Sequence, residues 1–248
     1  MGTVSLMESN DRSLHSCDGN RTLVIMAKAP RLGAVKTRLA QSLFVEAATE
    51  LYRCLLDDTL ALAHSLSGVR VAIMCPASDV EEMKQLAGGD TIVVAQDGAG
   101  LAAALTSVFE QFAAPGANRV IAFNSDSPHL PASVLTGAFE TLIARDLVVG
   151  PTHDGGYYLV GAKAAHPGLF AGDEMGTDSA FEALLARARR LRLAVSLTER
   201  FYDIDVGGDL TQLATELRVT PARAPRTASW LKERRPLEST SETGAGEA

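Results

Sequence analysis

The sequence predicts a three-layer α/β/α sandwich on a mixed, mostly parallel sheet. Two observations predict it. Short apolar and β-branched runs alternate with segments of helical periodicity from Leu23 to about Leu217, the β-α order that gives parallel strands and right-handed crossovers. Residues capable of chemistry collect just after the strand-length runs, at the edge where open α/β sheets bind ligands. No internal repeat or linker breaks the pattern, and 248 residues suffice for one large domain or two small ones.

The elements follow in order. Leu23-Val-Ile-Met26 is a buried strand, and Phe44, Ala47, Leu51, Leu55 and Leu62 recur at near-helical spacing, which predicts a long amphipathic helix. Val69 to Met74 is a second strand. Ser78-Asp-Val-Glu81 has the Ser-x-x-Glu capping-box pattern ahead of a short helix carrying Met83 and Leu86. Thr91 to Ala95 is a third strand, and the turn Gln96-Asp-Gly-Ala-Gly100 leads into a helix faced by Leu101, Leu105, Val108 and Phe112. Val120 to Phe123 is a fourth strand, ending in Asn124-Ser-Asp-Ser127 before Pro128 and a helix with Leu135, Ala138, Phe139 and Leu142. Leu147–Val149 and Tyr157–Val160 flank Pro151-Thr-His-Asp-Gly-Gly156, which can join antiparallel strands or reshape a loop over a site. A helix from about Thr177 to Arg190, a strand near Leu193 to Leu197, a strand end at Tyr202-Asp-Ile-Asp205 and a helix from Gly207 to Leu217 complete the pattern. The expected organisation is a disordered leader at 1–20, a nucleotide-binding transferase domain at 21–218 and a flexible tail at 219–248, in which Trp230 and Leu231 could dock as a short helix.

Composition excludes several classes. An apolar content of 46% with 21% charged residues is ordinary for a soluble globular protein, and no apolar run approaches the ~20 residues of a membrane helix. The polar start has no signal-peptide core. Cys17, Cys54 and Cys75 are too few and scattered for a disulfide framework or zinc site, which fits a reducing, cytoplasmic setting. A net charge of -7 argues against a general nucleic-acid binder; oligomeric state is not legible.

Against that acidic background, Lys28-Ala-Pro-Arg-Leu-Gly-Ala-Val-Lys-Thr-Arg-Leu39 is locally cationic. Lys28, Arg31, Lys36 and Arg38 surround one Gly and one Pro directly after a strand, where backbone N–H groups and a helix end also favour polyphosphate. It is not a Walker loop, because Val35 rather than Gly precedes Lys36. The bland alternative is a solvated basic turn.

Asp126 at one strand end, with Asp203 and Asp205 at another, can bring acids from distant segments together. Two carboxylates ~4 Å apart repel by about 4 kcal/mol at an effective dielectric near 20, which favours a raised pKa or a bound cation. Beside a diphosphate the hard ions Mg2+ or Mn2+ fit such oxygens. Asp126 can equally cap a turn before Pro128, Asp203 and Asp205 can be a solvated strand end, and Asp154 with Gly155 and Gly156 can make a tight turn. His129 and His153 read as exposed loop residues.

Taken together, Lys28-Ala-Pro-x-x-Gly-x-Val-Lys-Thr-Arg-Leu39, Asn124-Ser-Asp-Ser-Pro128, Asp154-Gly-Gly-Tyr-Tyr-Leu-Val-Gly161 and Tyr202-Asp-Ile-Asp205 resemble one family. It is the bacterial family of GT-A-fold (Rossmann-like), nucleotide-diphospho-sugar-transferase-like proteins, often labelled glycosyltransferases and linked in some members to arsenosugar biosynthesis. The resemblance implies nucleotide contacts by Lys28, Gly33, Lys36, Thr37, Arg38 and Gln96, and metal binding (Mg2+ or Mn2+) by Asp126 and Asp205. It also implies substrate contacts by Asp154, Gly155 and Gly156, with catalytic work by Asp126, Lys36 and Asp154. The implied reaction is metal-dependent transfer from a nucleotide sugar to a small-molecule acceptor. More distantly the chain is similar to the molybdenum-cofactor and phospholactate guanylyltransferases, which implies the alternative of nucleotidyl transfer from a nucleoside triphosphate with release of pyrophosphate. A noncatalytic nucleotide-binding protein is a further alternative. The chain departs from the glycosyltransferase-like pattern at Gln96-Asp-Gly-Ala-Gly-Leu-Ala-Ala-Ala104, which lacks a Glu-Arg pair, at Met175-Gly-Thr177 and at Asp205-Val-Gly-Gly-Asp209.

Overall fold

A computed structural model describes residues 20–113 and 119–234. The expected leader up to residue 19, with Cys17, and the tail from 235 lie outside the described residues. The sheet has seven strands: β1 (Arg21–Met26), β2 (Arg70–Cys75), β3 (Ile92–Ala95), β4 (Arg119–Asn124), β5 (Leu147–Pro151), β6 (Tyr157–Ala162) and β7 (Val195–Leu197). Their spatial order is β3-β2-β1-β4-β6-β5-β7. β1 to β4 are mutually parallel, β6 runs antiparallel between β4 and β5, and β7 is parallel to β5. The mixed, mostly parallel sheet expected from the sequence is therefore present, and β5 and β6 form the antiparallel pair.

Helices α1 (Val45–His64), α2 (Val80–Ala87) and α4 (Ala132–Ala144) cover one face, and α3 (Gly100–Phe112) and α5 (Ala180–Arg190) cover the other. The strand period of two sorts the core. Leu23 and Ile25 of β1 join Leu56, Met83, Leu135 and Phe139 on the first face, whereas Val24 joins Leu105, Phe109, Phe181 and Leu184 on the second. Each such side chain contributes about 1.5–3 kcal/mol when fully buried.

A third, smaller core lies outside the sheet. Leu51 and Leu55 of α1 pack with Leu213 and Leu217 of α6 (Gly207–Val219), with Trp230 and Leu231 of α7 (Pro225–Glu233), and with Tyr202 and Ile204. The segment expected to begin a flexible tail is thus helical through Glu233, with Trp230 and Leu231 docked. Its cap comes from far away in sequence: the buried Asp58 carboxylate accepts from Arg226 N (3.1 Å), Thr227 N (2.8 Å) and Thr227 Oγ1 (2.8 Å). Pro225, with no N–H to satisfy, suits the first turn.

Three local expectations need correction. The Ser78–Glu81 capping box does not form, because Asp79 takes the cap position and turns its carboxylate to Ala29 N (2.9 Å) and Arg31 (2.7 Å). Residues 202–205 are not in a strand; only Phe201 makes an isolated parallel bridge, with Thr152. His129 is fully buried rather than exposed, packed on Phe201 and Tyr202 with ring centroids 4.9 and 4.6 Å away.

Candidate active site

β1 and β4 are neighbours in register, Met26 opposite Asn124, so the two chains leave the sheet side by side. After β1 the loop is fastened at both flanks. Asp79 holds Ala29 and Arg31, and Glu82 takes a second bond from Arg31 (2.9 Å). Arg31 therefore serves the α2 side and not the acids. On the other flank Lys28 N donates to the Tyr52 hydroxyl (3.1 Å), which is in contact with Lys28 O (3.2 Å) and Ser125 Oγ (3.2 Å). Burial and the nearby Asp126 push Tyr52 up to about 12, so it stays a neutral hydroxyl.

Lys36 is the pivot. Its backbone adopts the left-handed conformation (φ 50°), uncommon for a residue with a Cβ. Its side chain is only 3% exposed, and Nζ lies 2.9 Å from Asp126 Oδ1 and 3.1 Å from Asp205 Oδ1. Burial alone would lower the ammonium's pKa, but Asp126 and Asp205 hold it above the ordinary lysine value. Arg38, 64% exposed, reaches Asp205 Oδ2 at 3.4 Å. Gly33 also needs a positive φ (71°), and it turns the loop in open space.

The acids are brought together by backbone bonds between the two late segments. Asp126 O accepts from Ile204 N (3.2 Å), and Ser127 Oγ donates to Tyr202 O (3.1 Å). Asp205 is fixed from behind by Asp209, whose carboxylate accepts from Asp205 N (2.9 Å) and Val206 N (2.7 Å) at the start of α6. Asp203 joins the cluster: burial first, then Asp205, Asp126 and Asp154, raise it to about 7, against the opposing pull of Lys36. Asp203 is thus one of the converging acids expected from its spacing of two from Asp205, and not the solvated strand end that is the alternative for it.

The remaining candidates sit around this centre or serve the scaffold. Lys28 and Thr37 are exposed on the basic loop. Gln96, at the end of β3, bonds its N–H to Cys75 O (2.9 Å) and its side-chain amide to Gly98 O (2.9 Å). Asp154 Oδ1 accepts from Thr152 Oγ1 and from Gly156 N (3.2 Å), so it closes its own turn. Gly155 (φ 90°) lies against the backbone of Asp178, where a Cβ would overlap the carbonyl oxygen, and its own O accepts from Phe181 N (3.0 Å). Gly155 thus seats the start of α5.

The donor set suits a hard divalent cation. Two carboxylates converge on one point, and burial and like charge make Asp203 reluctant to ionise beside them. Among the described residues no group of three or more His, Cys, Asp or Glu has metal-holding geometry. Asp126 and Asp205 would form a two-carboxylate set, to which Mg2+ adds phosphate oxygens and water.

The chain is similar to known proteins in sequence and in fold. Residues 59–177 match the family described as "Uncharacterized protein conserved in bacteria (DUF2064)". The crystal structure of a candidate nucleotide-diphospho-sugar transferase from Desulfovibrio desulfuricans G20 is similar with a TM-score of 0.80 and 28% identity, over 87% of this chain and 95% of that one. A nucleotidyl transferase from Methanothermobacter thermautotrophicus shares the fold at a TM-score of 0.57 and 16% identity, over 81% of this chain and 99% of that one. So does 4-diphosphocytidyl-2C-methyl-D-erythritol synthase from Anaerococcus prevotii, at a TM-score of 0.55 and 12% identity, over 83% and 100%. No curated protein matches the chain. The structural neighbours are thus nucleotide-diphospho-sugar-transferase-like proteins and nucleotidyltransferases. No helix among the described residues is long and apolar enough to cross a membrane.

Proposed function

We propose that this protein is a cytoplasmic transferase that takes a nucleotide-activated sugar as donor and passes the sugar to a small-molecule acceptor. The observation that carries the reading is the placement of Lys36 Nζ within 3.1 Å of both Asp126 and Asp205, at the carboxyl ends of two adjacent parallel strands. A cation and two acids meet where a nucleotide's diphosphate is expected in this fold.

In this reading Lys36 and Arg38 neutralise the diphosphate, with Lys28, Gly33, Thr37 and the backbone N–H groups of the loop completing its cradle. Gln96, at the end of β3 and separated from β1 by β2, would contact the nucleotide. Asp126 and Asp205 would hold Mg2+ or Mn2+, which supplies charge neutralisation to the departing diphosphate. The contribution of the chain is chiefly electrostatic preorganisation, with charges fixed before the substrate arrives. Asp154, Gly155 and Gly156 would border the acceptor side, where Asp154 contributes by holding the turn in shape.

A second reading, nucleotidyl transfer, is favoured by one feature. The β3 exit from Gln96 to Ala104 lacks the Glu-Arg pair of the sugar transferases, and Gln96 spends its amide on Gly98 O. An acceptor phosphate would then attack the α-phosphorus without needing a general base, and pyrophosphate would leave. Incubation with Mn2+ and a panel of sugar nucleotides and nucleoside triphosphates, with candidate acceptors, separates the readings. Release of nucleoside diphosphate from a sugar nucleotide is expected; pyrophosphate release from a triphosphate alone would replace the first reading with the second, and no turnover would sink both.

A further inference from the structure

We infer that Lys36 is a resident counter-ion that shuts free divalent metal out of the Asp126/Asp205 site until a diphosphate draws it away, so that the protein selects the metal–nucleotide chelate over the bare ion. The inference rests on the reading above, in which those two acids hold the metal.

The geometry makes the two cations mutually exclusive. Lys36 Nζ already contacts one oxygen of each acid, Asp126 Oδ1 and Asp205 Oδ1, and Arg38 holds the second oxygen of Asp205, so a divalent ion bridging the two acids would compete with these cations. Oxygen ligands bind Mg2+ at about 2.0–2.1 Å, so an ion bound there would sit within close cation–cation contact of the ammonium. Any departure of Lys36 falls to its flexible side chain alone, and that needs a new partner. Its side chain is buried, and its backbone is held in a left-handed turn between the fastened residues 28–31 and the buried Leu39. Leaving both carboxylates for nothing would strand a buried charge, which is strongly unfavourable. Phosphate oxygens offer the replacement partner, and Arg38, exposed at the rim and paired at 3.4 Å, is the group placed to meet them first. The metal and the anion are therefore linked: each makes room for the other.

The test is Mn2+ titration followed by electron paramagnetic resonance, on wild type, Lys36→Met, Lys36→Arg and Asp126→Ala, first without nucleotide and then with GDP or UDP. Lys36→Met should bind Mn2+ alone at least about tenfold tighter than wild type, because the competing charge is gone. Lys36→Arg, which keeps that charge, should stay near wild type, and Asp126→Ala should lose binding. Melting supplies a readout apart from metal affinity: Lys36→Met should melt lower than wild type in EDTA and regain the difference in Mn2+. If Lys36→Met does not fold, Lys36→Gln carries the same comparison. Equal Mn2+ affinity in wild type and the neutral variant, with nucleotide-dependent Mn2+ binding intact in wild type, would overturn the exclusion role and leave the transferase reading standing. Absence of Mn2+ binding in every protein, even with GDP and UDP, would remove both.

Discussion

The loops after β4 and after β5 both present an aspartate, and they spend it in opposite ways. Asp126 sends its carboxylate across 90 residues of sequence to Lys36 and its carbonyl to Ile204. Asp154 returns its carboxylate to Thr152 and Gly156, two residues away on either side. The first is an acid held in place by the fold and turned toward other segments, whereas the second is consumed in shaping its own turn. An aspartate whose oxygens find only local partners argues for scaffold; one whose oxygens meet a buried distant cation argues for chemistry. Asp58 and Asp79 fall on the scaffold side by a longer route, since their carboxylates cap backbone N–H groups of other elements.

The largest effect expected from this contrast is on nucleotide binding. Asp126→Ala removes one partner of a buried charge pair and should weaken Mn2+-dependent nucleotide affinity by about 100-fold or more. Asp154→Ala should leave that affinity within about threefold, with a stability loss near 1 kcal/mol for its local bonds. Calorimetry on the two variants decides it, and equal losses of affinity would erase the distinction between the loops. Next comes Gly155, where a Cβ would meet Asp178 in a backbone conformation that disfavours side chains. Gly155→Ala should cost about 3 kcal/mol or more in urea unfolding; a cost below about 0.5 kcal/mol would show that this turn is not seated on α5.

His129, buried against Phe201 and Tyr202, sets an acid-dependent effect. Burial, with a smaller push from Arg223, lowers His129 from 6.5 to about 4, and neither ring nitrogen has a hydrogen-bond partner among the described residues. Its folded pKa lies below the unfolded value, so its contribution to stability is complete above pH 6.5 and is lost as pH falls toward 4. That loss should approach about 3 kcal/mol. His129→Phe should flatten this part of the stability–pH profile, and an unchanged slope would assign the acid sensitivity elsewhere.

Much of this was legible in the chain. Strand and helix order followed from the two periodicities, and the Lys36 and Asp126 motifs follow β1 and β4, which the topology makes neighbours, whereas Asp205 arrives on a segment that is not a strand. What escaped depends on long-range geometry. The burial of His129 depends on Phe201 and Tyr202, more than 70 residues later. The capping box at Ser78 lost to Asp79, whose competing partners, Ala29 N and Arg31, lie about 50 residues earlier. Asp203 looks solvated in a linear reading, because its neighbours in charge come from three other places. Arg31 counts as a loop cation by position, yet Glu82 and Asp79 claim it.

Asp58 has one more consequence. The strap that leaves Asp205 runs through α6 and returns to α1, where this single carboxylate receives the leading edge of α7. Helix α1 itself begins just beyond the basic loop, so the chain forms a closed circuit that starts and finishes beside the same cluster of charges. Prising the acidic strap off the basic loop would mean unbuckling that circuit as well, which gives a solvent-facing site the rigidity of an interior one.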